Sequence, residues 1–155
     1  VGKKLKGTNT DWVGYLNSIK KEKIRKNKKI LILGYGGASQ AIFYGLALKG
    51  YKKIIVFNRS KKLIKLKGVA KYTKPYTLAD KHLCDADLII NTTPTNPLNK
   101  KQTRLVNKKA LISDIVYKPK NTIFLNGFKK EELSFLEVIK KFFFLTEFPS
   151  PILNK

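Results

Sequence analysis

Lys28–Ser60 reads KKILILGYGGASQAIFYGLALKGYKKIIVFNRS. An apolar run, Ile30-Leu31-Ile32-Leu33, feeds a glycine cluster at Gly34, Gly36 and Gly37. A helical pattern follows over residues 38–49, closes at Gly50 and leads into a second apolar run, Ile54-Ile55-Val56-Phe57. Strand, glycine turn, helix and strand in that order form a unit suited to dinucleotides. The glycines let the backbone approach a pyrophosphate. The helix N-terminus offers unpaired N–H groups and a partial positive charge. Gly34, Gly36, Gly37 and Ala38 are the candidates for this cradle, with Ser39 at the third glycine position.

The end of the second strand sets the choice of cofactor. An NAD site places Asp or Glu there to bind the ribose 2′-hydroxyl. This strand ends in Asn58, Arg59 and Ser60, and no acid lies between Gly34 and Lys62. A guanidinium pairs with a 2′-phosphate that a carboxylate would repel. Asn58, Arg59 and Ser60 thus read as the NADP-selecting end of the site. The competing reading makes Arg59 a solvated residue ahead of a helix capped by Ser60.

At 155 residues the chain amounts to one domain and is long enough to bury a core. A formal net charge of +23 raises the question of nucleic acid. Arginine occurs only at Arg25, Arg59 and Arg104, so 30 of the 33 basic residues are lysine. They are scattered, and aromatics do not interleave with them as in a base-stacking platform. A bias towards AT-rich codons accounts for the composition, so no specific nucleic-acid partner is expected. Cys84 is the single cysteine, which suits a reducing cytoplasm, and its place before an apolar run suggests packing. His82 is the single histidine, and no metal site is expected. No apolar run approaches the ~20 residues that span a membrane. The sequence lacks methionine altogether, so Val1 is not read as a natural start and the chain is read as a fragment or processed piece.

Trp12, Tyr15, Leu16 and Ile19 fall at helical spacing, with Thr10 or Asp11 as cap. A basic link over 20–29 leads to the first strand. A short helix is expected after Ser60, a weak strand at Val69–Tyr72 and a helical turn at Asp80–Asp85. Asp87–Pro94 is an apolar strand ending in small polar residues. Ala110–Tyr117 is the next strand, and Thr122–Leu133 and Leu136–Leu145 read as helices. Continuous apolarity suits parallel strands covered on both faces. The fold class is therefore α/β, a doubly wound parallel sheet with helices on both faces. Ligands belong at the carboxyl ends of its strands, near Gly34–Gly37, Asn58–Ser60, Asn91–Pro94 and Tyr117.

Several stretches, taken in order, resemble the shikimate dehydrogenase family. Gly7-Thr8-Asn9-Thr10-Asp11-Trp12-Val13-Gly14 is similar to its GxNTDxxG motif. Residues Gly34–Ala41 are similar to GAGGAxxA, with Tyr35 in place of the usual alanine. Asn58-Arg59-Ser60 is similar to NRT/NRS, Ile90–Pro94 to INTTP, and Asp114–Pro119 to DxVYxP. The resemblance covers residues 1–125. It implies a Rossmann-like fold, NADP as cofactor and reduction of 3-dehydroshikimate to shikimate. It divides the chain into an interdomain segment and helix over 1–27, an NADP-binding domain over 28–125 and a divergent helical tail over 126–155.

The resemblance also implies roles. Asp11 would bind substrate and assist acid–base transfer with a lysine partner, supported by Asn9. Tyr117 would approach the substrate from the cofactor domain. Asn91, Thr92 and Thr93 would line the dinucleotide groove. Read without the family, Asp11 is a helix cap, Tyr117 a partly buried aromatic and Asn91–Thr93 a turn. The family's substrate domain, with its serine pair and a catalytic lysine in a VTxPxK-like motif, has no counterpart in these residues. Its GxxMLxxQ segment is also missing, since residues 128–155 hold neither methionine nor glutamine. The leading reading is a partial NADP-dependent shikimate dehydrogenase. The alternatives are a quinate/shikimate dehydrogenase, or a non-catalytic nucleotide-binding module or decayed gene product.

Overall fold

The computed structural model describes residues 11–66, 69–116, 122–128 and 134–136. Helix α1 runs Asp11–Ile19, followed by a 3-10 turn at Lys20–Glu22. Strand β1 is Ile30–Leu33, helix α2 Gly37–Leu48 and strand β2 Ile54–Phe57. A hairpin of β3 (Leu63–Leu66) and β4 (Val69–Tyr72) comes next, then a 3-10 turn at Tyr76–Leu78 and α3 at Asp80–Leu83. Strand β5 (Leu88–Asn91), α4 (Lys100–Arg104), β6 (Leu111–Asp114), α5 (Ile123–Phe128) and β7 (Ser134–Leu136) complete the order.

Five strands form one parallel sheet in the order β2-β1-β5-β6-β7. Alternate residues of the strands feed two cores. Leu31, Leu33, Phe57, Ile89 and Ile112 pack with α3, α5 and Leu98 on one face. Ile30, Ile32, Val56, Leu88 and Ile90 pack with Tyr15 and Ile19 of α1 and Ile42, Phe43 and Leu46 of α2 on the other. Both faces are thus dry, which is why β1 and β5 read as unbroken apolar runs. The doubly wound α/β expectation is met.

Helix α1 places Tyr15 and Ile19 in this core. Tyr15 is fully buried and its hydroxyl donates to Ser113 Oγ of β6 at 3.2 Å. Gly45 of α2 faces α1, and a Cβ there would lie 2.8 Å from Trp12 Cβ. The small residue serves a helix–helix contact.

Four local expectations change. The stretch after Ser60 is β3, not a helix, because Leu63-Ile64-Lys65-Leu66 alternates, burying Ile64 and packing Leu66 partly against the same core. Val69–Tyr72 pairs back antiparallel with β3 instead of extending the sheet. The edge of the sheet beyond β2 is a single parallel bridge between Phe57 and Lys74. Ser134–Leu136 is a strand beside β6, where a helix was expected from Leu136. Cys84 is exposed, since Leu83 and Ala86 take the inward positions of that turn. His82 is half-buried, its ring 5.9 Å from Phe57; burial first, then Lys29, Lys74 and Lys81, hold its pKa below the usual histidine value. No helix of the described residues is long and apolar enough to cross a membrane.

At the amino edge of the sheet Lys28 Nζ donates to Asp87 Oδ1 at 2.7 Å and the Lys29 amide to Oδ2 at 2.8 Å. Partial burial raises the Asp87 carboxyl, but these donors and the charges of Lys28 and Lys53 outweigh it and hold its pKa below the ordinary value. The unfolded chain then takes up this proton first. The stability Asp87 contributes is present above the ordinary carboxylate range and lost as pH falls through its folded value. Asp87→Asn is expected to flatten part of the acid limb of stability against pH, read as urea midpoints between pH 7 and pH 3.

Candidate functional site

The strand register puts Leu33, Phe57, Asn91 and Asp114 in one row. The residues that follow them, Gly34, Asn58, Thr92 and Ile115, therefore leave the sheet along one edge. This is the carboxyl edge, where open α/β sheets bind ligands.

Gly34 sits at φ 101°, a conformation that side chains rarely adopt. An added Cβ would come within 2.5 Å of Thr92 Oγ1 and 2.8 Å of Thr93 Cγ2. Thr92 is locked in that place because its amide and its hydroxyl both donate to the Leu33 carbonyl, at 2.9 and 2.7 Å. Ser39 is fully buried and its hydroxyl donates to the Gly34 carbonyl at 2.7 Å. The serine at the third glycine position thus ties helix α2 to the turn.

Gly36 and Gly37 are built differently. A Cβ on either would meet nothing within 4 Å, so the space above them is open. Gly36 is the N-cap of the twelve-residue α2, no side chain caps it, and its first turn carries no acid. Open space over an uncapped helix N-terminus fits a pyrophosphate. These residues can hold the group that the motif calls for.

The turn after β2 is braced from below. Asn58 Nδ2 donates to the Ser60 carbonyl at 2.9 Å, and Thr73 Oγ1 donates to the same carbonyl at 3.2 Å. The Lys62 amide donates to Thr73 Oγ1 at 2.9 Å. Asn58 and Ser60 are thereby engaged within the turn, and Arg59 is left exposed at its tip. The salt bridges among the described residues are Lys28–Asp87 and Lys29–Asp85, so no carboxylate there neutralises Arg59.

Asn91 is 1% exposed and wholly engaged inside the protein. Its amide donates to the carbonyls of Thr93 and Thr95 and to Asp114 Oδ1. Its oxygen accepts from the Thr93 amide and hydroxyl. Asn91 therefore shapes the Thr92–Thr95 loop from beneath, while Thr92 and Thr93 stand half-buried against Gly34. Asp114 is equally buried and also accepts from Thr122 Oγ1 at 2.6 Å and the Val116 amide at 3.0 Å. Burial raises its carboxyl above the ordinary range despite these donors. The network joins β5, β6 and α5 behind the edge.

The structure thus brings together Gly34, Gly36, Gly37, Ala38, Asn58, Arg59, Ser60, Asn91, Thr92 and Thr93 on one edge. Asp11 is the first residue of α1, and its side chain is not described. Asn9 and Tyr117 lie outside the described residues. Among the described residues no group of three or more His, Cys, Asp or Glu could hold a metal ion. The sequence reading passed over Tyr76, which packs partly buried against the core cluster that holds Leu33 and Phe57. It also passed over Gln102, whose amide donates to the Tyr76 carbonyl at 3.0 Å and to Asp80 at 2.9 Å. The one sequence signal was Asn99-x-x-Gln102, a capping box that fixes α4.

The sequence model of the shikimate/quinate 5-dehydrogenase family matches residues 18–122, well over half of the chain. The chain belongs to the shikimate/quinate 5-dehydrogenase family. A curated relative, the shikimate dehydrogenase (NADP(+)) of Methanosphaera stadtmanae, is 38% identical over 141 residues, covering 81% of this chain and 50% of the relative. That of Lactococcus lactis subsp. cremoris is 38% identical over 149 residues, covering 83% and 51%. Shikimate 5-dehydrogenase from Thermus thermophilus, solved in complex with NADP(H) and shikimate, superposes with a TM-score of 0.64 at 25% identity, over 94% of this chain and 59% of that one. The chain spans about half the length of the curated relatives it matches. The family is one of oxidoreductases, and the shared half is the one with the glycine turn.

Proposed function

We propose that the chain is the cofactor-binding part of an NADP-dependent shikimate dehydrogenase, which interconverts 3-dehydroshikimate and shikimate. The observation that carries this reading is an uncapped, open glycine turn with an arginine, unpaired among the described residues, at the end of the neighbouring strand. The relatives named for NADP(+) and the structure solved with NADP(H) and shikimate support the same cofactor and substrate.

When bound, the nicotinamide cofactor supplies a hydride to the substrate ketone. The backbone amides at Gly36–Ala38 hold the pyrophosphate at the positive end of α2. Arg59 pairs with the 2′-phosphate through charge-assisted hydrogen bonds. Thr92 and Thr93, fixed by Asn91, form the opposite wall. Asp11 and Asn9 bind substrate, and Asp11 assists the proton transfer that neutralises the developing alkoxide. Tyr117 meets the substrate from the cofactor side.

The 155 residues alone are expected to bind cofactor yet turn over shikimate negligibly. A family reaction that needs a lysine in a second domain loses orders of magnitude without that positioned group. NADPH formation followed at 340 nm with shikimate checks this, and a measurable steady-state rate would refute it. Running quinate in parallel addresses the second reading, which the family's double description favours.

A further inference from the structure

Resting on the NADP reading above, we propose that Tyr76 is the wall of the nucleoside site, its ring lying against the purine and ribose between the glycine turn and Arg59. The placement follows from the sheet. Lys74 bridges Phe57 in parallel, so the chain leaving Lys74 emerges at the same edge as Asn58–Ser60. Pro75 is extended, and Tyr76 opens the 3-10 turn that follows. The ring then packs on the cluster holding Leu33 and Phe57, the last residues of β1 and β2.

The surroundings of the phenol locate it further. Burial raises its pKa, while the Gly34 backbone and the Arg59 charge act against that rise, in keeping with a ring at this edge. Gly34 begins the pyrophosphate cradle and Arg59 is the cation for the 2′-phosphate. The ribose of a nucleotide spans the interval between them with its base branching alongside, and the bridge from Lys74 brings Tyr76 to this edge.

The main chain at Tyr76 is held rigidly. Its carbonyl accepts from the Ala79 amide at 2.9 Å and from Gln102 Nε2 at 3.0 Å. Gln102 is itself buried and fixed by its reciprocal bonds with Asn99. A ring positioned in advance loses little freedom on binding, and an aromatic face stacks on a base without reading its edges. Tyr76 is therefore a binding residue for the nucleoside half of the cofactor.

Calorimetric titration with adenosine 2′,5′-bisphosphate and with inorganic pyrophosphate tests this, using the 155-residue chain and its Tyr76→Ala, Tyr76→Leu and Tyr76→Phe variants. Loss of one base-stacking contact is expected to weaken the bisphosphate about tenfold in the Ala and Leu variants. Tyr76→Phe keeps the ring and should stay close to wild type. Pyrophosphate affinity should be the same in all four. Tyr76→Leu keeps buried bulk, so loss in the Ala variant alone would mean that only packing matters and would overturn the proposal. Wild-type bisphosphate affinity in both the Ala and Leu variants would overturn it too and leave the NADP reading intact. Failure of the wild-type chain to bind the bisphosphate at all would overturn both.

Discussion

Gly34→Ala is expected to destabilise the fold by about 3 kcal/mol and to abolish cofactor binding. The left-handed backbone at φ 101° costs an L-residue about 1–2 kcal/mol. Pushing a methyl against Thr92 and Thr93 adds roughly 1–3 kcal/mol of overpacking. Thr92 cannot give way, because its amide and hydroxyl are both committed to Leu33. The melting temperature should fall by roughly 10 °C. Gly36→Ala is the contrasting variant. Its Cβ enters open space at φ −92°, so stability should change by no more than about 0.5 kcal/mol. The methyl nonetheless stands where the pyrophosphate must approach, and NADP affinity should drop sharply. A Gly34→Ala protein that melts with wild type, or a Gly36→Ala protein with full affinity, would contradict this assignment.

Arg59→Ala is expected to weaken NADP binding by about 10- to 100-fold, the worth of charge-assisted hydrogen bonds to a phosphate. NAD binding should stay the same. Arg59→Glu goes further, since the carboxylate repels the 2′-phosphate and can accept from a 2′-hydroxyl. The preference should then reverse towards NAD. The turn itself is held by Asn58, Ser60 and Thr73, and Arg59 is exposed at its tip. Stability should therefore shift by less than about 0.5 kcal/mol. Dissociation constants for NADP and NAD, with melting curves of the same samples, separate lost affinity from lost fold. Unchanged NADP affinity in Arg59→Glu would remove the 2′-phosphate role.

Much of this edge was legible in the sequence because its signals are local. The apolar runs at Ile30–Leu33, Ile54–Phe57 and Leu88–Asn91 were continuous, and each ended in glycine or small polar residues. Helix α1 was legible from the spacing of Trp12, Tyr15, Leu16 and Ile19. What failed was set by contacts far apart in the chain. Leu63–Leu66 has the leucines and lysines of a helix, yet Ile64 finds its place in the core as a strand residue. Gly45 makes room for Trp12, which lies 33 positions earlier, so no local pattern shows its role. Tyr76 carried no motif, and only the bridge from Lys74 to Phe57 brings it to the edge. Asn91 looked like a groove residue, and its buried partner Asp114 explains why it also organises the loop.

The glycine turn and Arg59 are proposed to act together as an NADP cradle. Calorimetric titration of the 155-residue chain with NADP+ and NAD+ tests it most directly. Physiological salt is needed, because a chain of net charge +23 attracts polyanions without specificity at low ionic strength. NADP+ should bind at least about tenfold more tightly than NAD+. Equal affinities, or no binding of either dinucleotide, would contradict it.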